Sequence, residues 1–224
     1  MKKIIFLFAL LTTICAQSQQ EILKDIGSFT ELKVFDKIQL TLIKSDKNEV
    51  KITGIKRREV VVVQNGNLLK IRMSLNNLWD TNNTKVVVYY TNIHKIDVNE
   101  GARVEAKDVL FADHLDLRAQ EGGSILAQIE TGFLYTKTIT GGEIEVHGKA
   151  EEQEAIITSG GQYYAKPLKT LITQVKVSAG GIAEVHAKKY VKANTNAGGT
   201  IKIYGNPKEI DSQKLLGGKI LEIN

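Results

Sequence analysis

From residue 94 onward apolar and polar side chains alternate, and a pair of small residues interrupts the alternation at nearly constant intervals. In TGGEIEVHG, residues 140–148, Ile144 and Val146 share one side while Glu143, Glu145 and His147 share the other. This is the period-two signature of a half-buried strand. Other units repeat it with Val104 and Ala106, Ile125 and Ala127, Tyr163 and Ala165, Ala183 and Val185, and Ile201 and Ile203. Before each pair, Val98, Ala119, Thr138, Ile157, Val177 and Thr195 take the matching inward place, which predicts a narrow interior of small and β-branched side chains.

The Gly-Gly or Gly-Ala pairs begin at Gly101, Gly122, Gly141, Gly160, Gly180, Gly198 and Gly217, with second glycines at Gly123, Gly142, Gly161, Gly181, Gly199 and Gly218. The steps are 21, 19, 19, 20, 18 and 19 residues, so residues 94–224 form about seven repeats of 18–21 residues. Glycine reaches positive φ without steric cost and lets backbones approach closely, as a sharp corner between strands requires. A hairpin meander and a parallel β-solenoid both satisfy that rule. Near-identical units stack most easily when each makes the same turn on top of its predecessor, which favours a two-sheet β-solenoid with glycine corners. Seven corners at a strand spacing of ~4.8 Å would extend roughly 30 Å.

Residues 28–93 lack the repeat. FTELKVFDKIQLTLIKS, EVKITGI, EVVVVQNGNLLKIRMSL and TKVVVYYT read as strands, with a turn at Asn65-Gly66. The expected architecture is all-β, with this N-terminal β-section capping the first rung of the repeat array. NNLWDTNNT, residues 76–84, is a polar loop that carries Trp79, the only tryptophan.

The chain opens with Met1-Lys2-Lys3, the apolar run Ile4–Leu11 and TTICAQSQQ, the order of a secretory signal over residues 1–18. Residues 19–224 then form a single exported domain, in the periplasm, on the outer-membrane surface or outside the cell. The apolar run is shorter than the roughly 20 residues that span a bilayer, so no transmembrane helix is expected. The bulky Ile14 before Cys15 favours cleavage after Ala16 or Ser18 over a lipid anchor at Cys15. A mature chain without Cys15 has no thiol for disulfides, zinc or catalysis.

The formal charge of +5 loses two units with Lys2 and Lys3, and the remaining basic residues are scattered among 25 acids. Nucleic-acid recognition needs a basic stripe with interleaved aromatics, and none is present. His94, His114, His147 and His186 lack zinc-ligand spacing, and no aspartate follows the glycine pairs as calcium-binding repeats require, so no metal or cofactor is expected.

Several quoted elements occur together in one known pattern: the opening strand with Phe29, Leu32 and Val34, GNLLKI at 66–71, and VVVYYTNIHKIDVNEGARV leading into the repeats. In that order the chain resembles the putative auto-transporter adhesin, head GIN domain family of exported Gram-negative bacterial proteins. The resemblance covers residues 28–224 and implies a two-sheet β-helix and an adhesive role. It carries no catalytic residues.

Outward positions suggest where a ligand would lie. Six residues after each corner's first glycine stand Lys107, Gln128, His147, Lys166, His186 and Tyr204, a ladder suited to a sugar or an anionic polymer and equally to any solvated strand end. Asn99, Gln120, Thr158, Ser178 and Asn196 form a second polar ladder before the corners. Trp79 is a candidate for stacking on sugar or protein, and also for plugging the first rung. The leading expectation is a non-enzymatic adhesin that binds glycan, matrix or cell-surface protein. A self-associating envelope component is the alternative, because Leu215, Leu216, Leu221 and Ile223 of the last unit cannot all point inward and would form an interface. A polysaccharide-active enzyme is the third reading, weakened by the absence of consistently paired carboxylates on adjacent rungs.

Overall fold

The computed structural model describes residues 21–74 and 84–223. The expected signal segment with Cys15, and Trp79, lie outside the described residues. The described residues form strands throughout, with one 3-10 turn at Arg57–Glu59 and no α-helix.

The repeats build a parallel β-solenoid, and every inter-rung register among them is parallel, which excludes the hairpin meander. One sheet, A, holds the strands before the glycine corners: β8 (Lys95–Val98), β10 (Leu110–Gln120), the second halves of β11 (Ser124–Ile139) and β12 (Glu143–Thr158), β14 (Leu168–Ser178), the second half of β15 (Ile182–Asn196), and β17 (Glu209–Leu215). The facing sheet, B, holds β9 (Arg103–Ala106), the first halves of β11, β12 and β15, β13 (Gln162–Tyr164), β16 (Thr200–Tyr204) and β18 (Lys219–Glu222).

Each corner divides the labour of its small residues. In Gln120-Glu121-Gly122-Gly123, Glu121 and Gly122 have φ of 51° and 74°, and the Gly123 N–H donates to the Gln120 carbonyl at 2.8 Å. Two consecutive left-handed residues closed by that bond make a type I′ turn. The same pair of positive φ values recurs at every glycine corner, with Glu100, Thr140, Ser159, Ala179, Ala197 or Leu216 in the first place. The first glycine thus relieves backbone strain. The second serves space: a Cβ at Gly142 would run into the Ala119 carbonyl of the rung below, and one at Gly123 into that of Val98.

The front section does more than cap. Strands β2 (Glu31–Val34) and β3 (Gln39–Lys44) form a rung with a glycine-free corner, where Asp36 and Lys37 take φ of 59° and 57°. β6 (Leu68–Met73) and β7 (Thr84–Tyr90) lie one level further out. β2 pairs in parallel with both β6 and β8, and β3 with both β7 and β9, so the earlier rung in sequence sits between two later ones. Antiparallel strands close the end: β5 (Val60–Asn65) on β6 through the turn at Gly66, β4 (Glu49–Gly54) on β7, and β1 (Ile22–Asp25) on β4.

The core is a set of columns that run from rung to rung. Leu32, Ile96, Leu117, Thr136, Ala155, Val175 and Ala193 stack in register inside sheet A, and Leu40, Val104, Ile125, Ile144, Tyr163, Ala183 and Ile201 inside sheet B; all are buried. A polar network crosses neighbouring rungs within this core. The Tyr163 hydroxyl donates to Gln153 Oε1 at 2.8 Å, Gln153 Nε2 donates to Thr173 Oγ1 at 2.8 Å, and Thr173 meets Thr170 Oγ1 at 2.8 Å. Thr170 in turn donates to the His186 carbonyl at 2.6 Å. Burial without such partners would cost roughly 1–3 kcal/mol per group.

The last rung is inverted in part, since Ile210 and Ile220 keep the core-facing register of Val191 and Ile201. Ser212 and Lys214 stand at the core-facing register of Ala193 and Thr195, and Glu222 at that of Ile203, while Leu215, Leu216, Leu221 and Ile223 are exposed by 54, 79, 41 and 37%.

The two glycines of one corner are separable by substitution. Gly141→Ala meets open space at φ of 71° and should cost about 1–2 kcal/mol. Gly142→Ala should cost about 3 kcal/mol or more, because backbone must move. Urea denaturation of the two variants checks the order, and equal costs would contradict the assignment.

Candidate functional site

A second bend, without a glycine pair, returns the chain from sheet B to sheet A. Along β11 the buried positions Ile125, Ala127, Ile129 and Thr131 change parity to Leu134, Thr136 and Thr138; along β12, Ile144, Val146 and Ala150 change to Gln153, Ala155 and Ile157. Each slip leaves two consecutive residues facing outward: Gly132-Phe133, Glu151-Glu152, and Leu171-Ile172 in β14. Gly148, at φ of 116°, eases the turn in β12, where a Cβ would strike the Ile129 carbonyl.

Stacked bends make a groove of about 1020 Å³ along the rod. Small residues form its floor, Ala112 opposite Thr131 and Thr131 opposite Ala150, with Thr170 beyond. One rim is a register column: Phe111 beside Glu130, Glu130 beside Lys149, and Lys149 beside Lys169, while Lys188 follows the Ala187 that pairs with Thr170 and so stands across the floor, at the level of Leu171. The other rim carries His94, Asp113, Glu151 and Leu171. Phe111 is 65% exposed, which for an aromatic ring in a polar groove offers a stacking platform. From Phe111 to Lys188 the groove spans four rung spacings, roughly 19 Å.

The ladder anticipated after the corners lies on the sheet B exterior, along the rim that carries Phe111, Lys149 and Lys169. Gln128 pairs with His147, and His186 with Tyr204. The Lys166 Nζ sits 4.8 Å from the centre of the Tyr204 ring, a cation–π contact that reaches past the rung of His186. Lys166, His186 and Tyr204 are therefore one cluster, and His147 is an exposed neighbour on the same face. His186 Nε2 is buried without a hydrogen-bond partner. Burial holds this imidazole below its ordinary value, and the charges of Lys188 and Lys169 add to the effect, against a backbone hydrogen bond with Lys166.

The polar ladder before the corners is also present, with Asn99 nearly buried and Ser178 Oγ donating to Thr158 Oγ1 at 3.1 Å, but Ile139 interrupts it. Of the outward glutamates, Glu184 accepts from Lys202 at 2.9 Å and Glu105 is ion-paired with Lys107. Both are thereby tied to charge partners. Among the described residues no group of three or more histidine, cysteine or acidic side chains could hold a metal ion. Phe111, Lys149, Lys169 and Lys188 escaped the sequence reading; the parity slips of β11 and β12 are the signal that marks them.

The stacked rungs and lateral groove define a parallel β-solenoid of the repeat-adhesin kind. The chain belongs to the family described as putative auto-transporter adhesin, head GIN domain, which matches residues 28–207. The same fold occurs in a putative adhesin from Bacteroides fragilis, at 19% identity and a TM-score of 0.81 over 92% of this chain and 98% of that one. A putative adhesin from Parabacteroides merdae is similar at 18% identity and a TM-score of 0.68, covering 92% and 96%. A putative lipid binding protein from Parabacteroides distasonis is similar at 14% identity and a TM-score of 0.68, covering 92% and 96%. No curated protein matches the chain.

His186 should titrate below 6.5 in an NMR pH series. A Lys169→Gln/Lys188→Gln variant should move it upward while leaving it depressed, since burial is the larger cause. An unchanged value would remove the lysines from its surroundings.

Proposed function

We propose that the protein is a non-catalytic, exported recognition module that binds a surface or matrix glycan laid lengthwise along the groove. The observation that carries this reading is the groove itself, open along the rod, with an exposed aromatic toward one end and small residues, alanine and threonine, on its floor. Membership of an adhesin family supports a surface role, and no helix among the described residues is long and apolar enough to cross a membrane. Lys166, His186, Tyr204 and His147 extend the contact surface beyond the rim. A polymer that contacts several rungs at once gains affinity from repeated weak sites, as adhesion needs. Glycan-array and matrix-protein binding by the mature chain tests this. Phe111→Ala should weaken binding about tenfold with the fold intact, the worth of one good aromatic contact. Binding unaffected by Phe111→Ala would place recognition elsewhere.

The exposed leucines of the last rung favour a second reading, self-association as an envelope component. Core-facing Lys214, Ser212 and Glu222 argue against rung-on-rung stacking there, since inward charges are a device that blocks strand-edge pairing. Light scattering of the mature chain at high concentration should therefore give the monomer mass. A stable dimer abolished by Leu216→Ser would support the second reading instead.

A further inference from the structure

Resting on the groove reading above, we infer that the glycan is anionic, its carboxylate or sulfate groups held by Lys149, Lys169 and Lys188 while an uncharged ring stacks on Phe111.

Several basic side chains elsewhere on the rod are answered by carboxylates: Lys202 by Glu184 at 2.9 Å, Arg118 by Asp116 at 2.8 Å, Lys95 by Glu31 at 3.4 Å and Lys33 by Asp97 at 3.5 Å. The three groove lysines have no such ion pair among the described residues. Lys149 and Lys169 are direct register partners, and like charges opposite one another on neighbouring strands are destabilising. Two like charges on adjacent rungs, with Lys188 across the groove floor, are a cost that the anionic groups of a bound chain remove. The imidazole of His186 is depressed chiefly by burial, and Lys188 and Lys169 add a smaller push in the same direction.

The groove is also polar along its length. Asp113 and Glu130 lie toward the Phe111 end, Glu151 faces Lys149 from the opposite rim, and Lys169 and Lys188 hold the other end. A uniformly charged polymer would meet repulsion at Asp113 and Glu130. The arrangement therefore selects a chain with anionic groups over the lysine end and an uncharged unit at Phe111, bound in one orientation.

The test compares charged and neutral partners of one backbone at about 0.15 M salt: partly methyl-esterified against fully esterified polygalacturonate for carboxylate, and lightly sulfated dextran against dextran for sulfate. At least one charged polymer should bind the mature chain about tenfold or more tighter than its neutral partner. Lys149→Gln/Lys169→Gln/Lys188→Gln should erase that difference, and Phe111→Ala should weaken both members of the pair. The charged arm that binds identifies the oxyanion. Equal binding of charged and neutral partners, still lost in Phe111→Ala, would overturn the anionic assignment and leave glycan recognition standing. No binding by any of the four polymers would overturn both. A charge preference that survives the triple lysine substitution, or a short duplex DNA bound as tightly as the charged glycans, would also overturn the assignment.

Discussion

The structure depends on hydrogen bonds that run from rung to rung without a break at the corners. Gly101 N–H donates to the Glu121 carbonyl at 3.0 Å, Gly122 N–H to Thr140 at 3.1 Å and Gly160 N–H to Ala179 at 3.2 Å, so the turns stack as the strands do. Corners that bond to one another must share one conformation. That requirement puts a left-handed residue before the first glycine every time, even where it is Thr140 or Leu216, and leaves no room for a side chain on the second glycine of most corners. Register is then fixed at the corners, and outward residues fall into columns except where β15 slips against β14 between Thr170 and Ile172. A ligand surface made of columns follows from the backbone alone.

The glycine corners, the inward columns and the all-β class were legible in the sequence because glycine and strict alternation are strong local signals. The second bend was not, because it uses one-residue parity slips at Gly132-Phe133 and Glu151-Glu152 in place of a residue type. A slip of one position resembles an ordinary irregularity until neighbouring rungs are known to repeat it. Hence the sequence pointed to His147, Lys166, His186 and Tyr204, which end the visible alternation, and missed Lys149, Lys169 and Lys188, which follow it. The rung of β2 and β3 was illegible for a different reason: Asp36 and Lys37 make its corner without glycine, and its neighbours in the stack are distant in sequence.

The polar network of Tyr163, Gln153, Thr173 and Thr170 shows how the core bears on the groove. Gln153 takes the column position held by Leu134 in the preceding rung, and its partners reach Thr170 on the groove floor and the carbonyl of His186. Buried hydrogen bonds are directional where apolar packing is not, so these neighbouring rungs have one arrangement that satisfies all the groups. They lie where the lysine column begins. The floor under Lys169 and Lys188 is thus held by bonds to the interior, which keeps a charged rim in place despite the repulsion within it.

The two ends of the rod meet the same hazard with different chemistry. An unpaired strand edge attracts other strands. At the front, β1, β4 and β5 turn antiparallel and cover the last parallel rung. At the back, β17 and β18 keep the parallel register and hold Ile210 and Ile220 inward, but exchange polarity further along, with Lys214 and Glu222 where a further rung would demand apolar contacts. The exposed leucines then follow from alternation, since a strand that turns charge inward presents its apolar side outward. Neither end offers a natural continuation, so the long partner proposed above would have to meet the rod along its side, where the lateral groove runs.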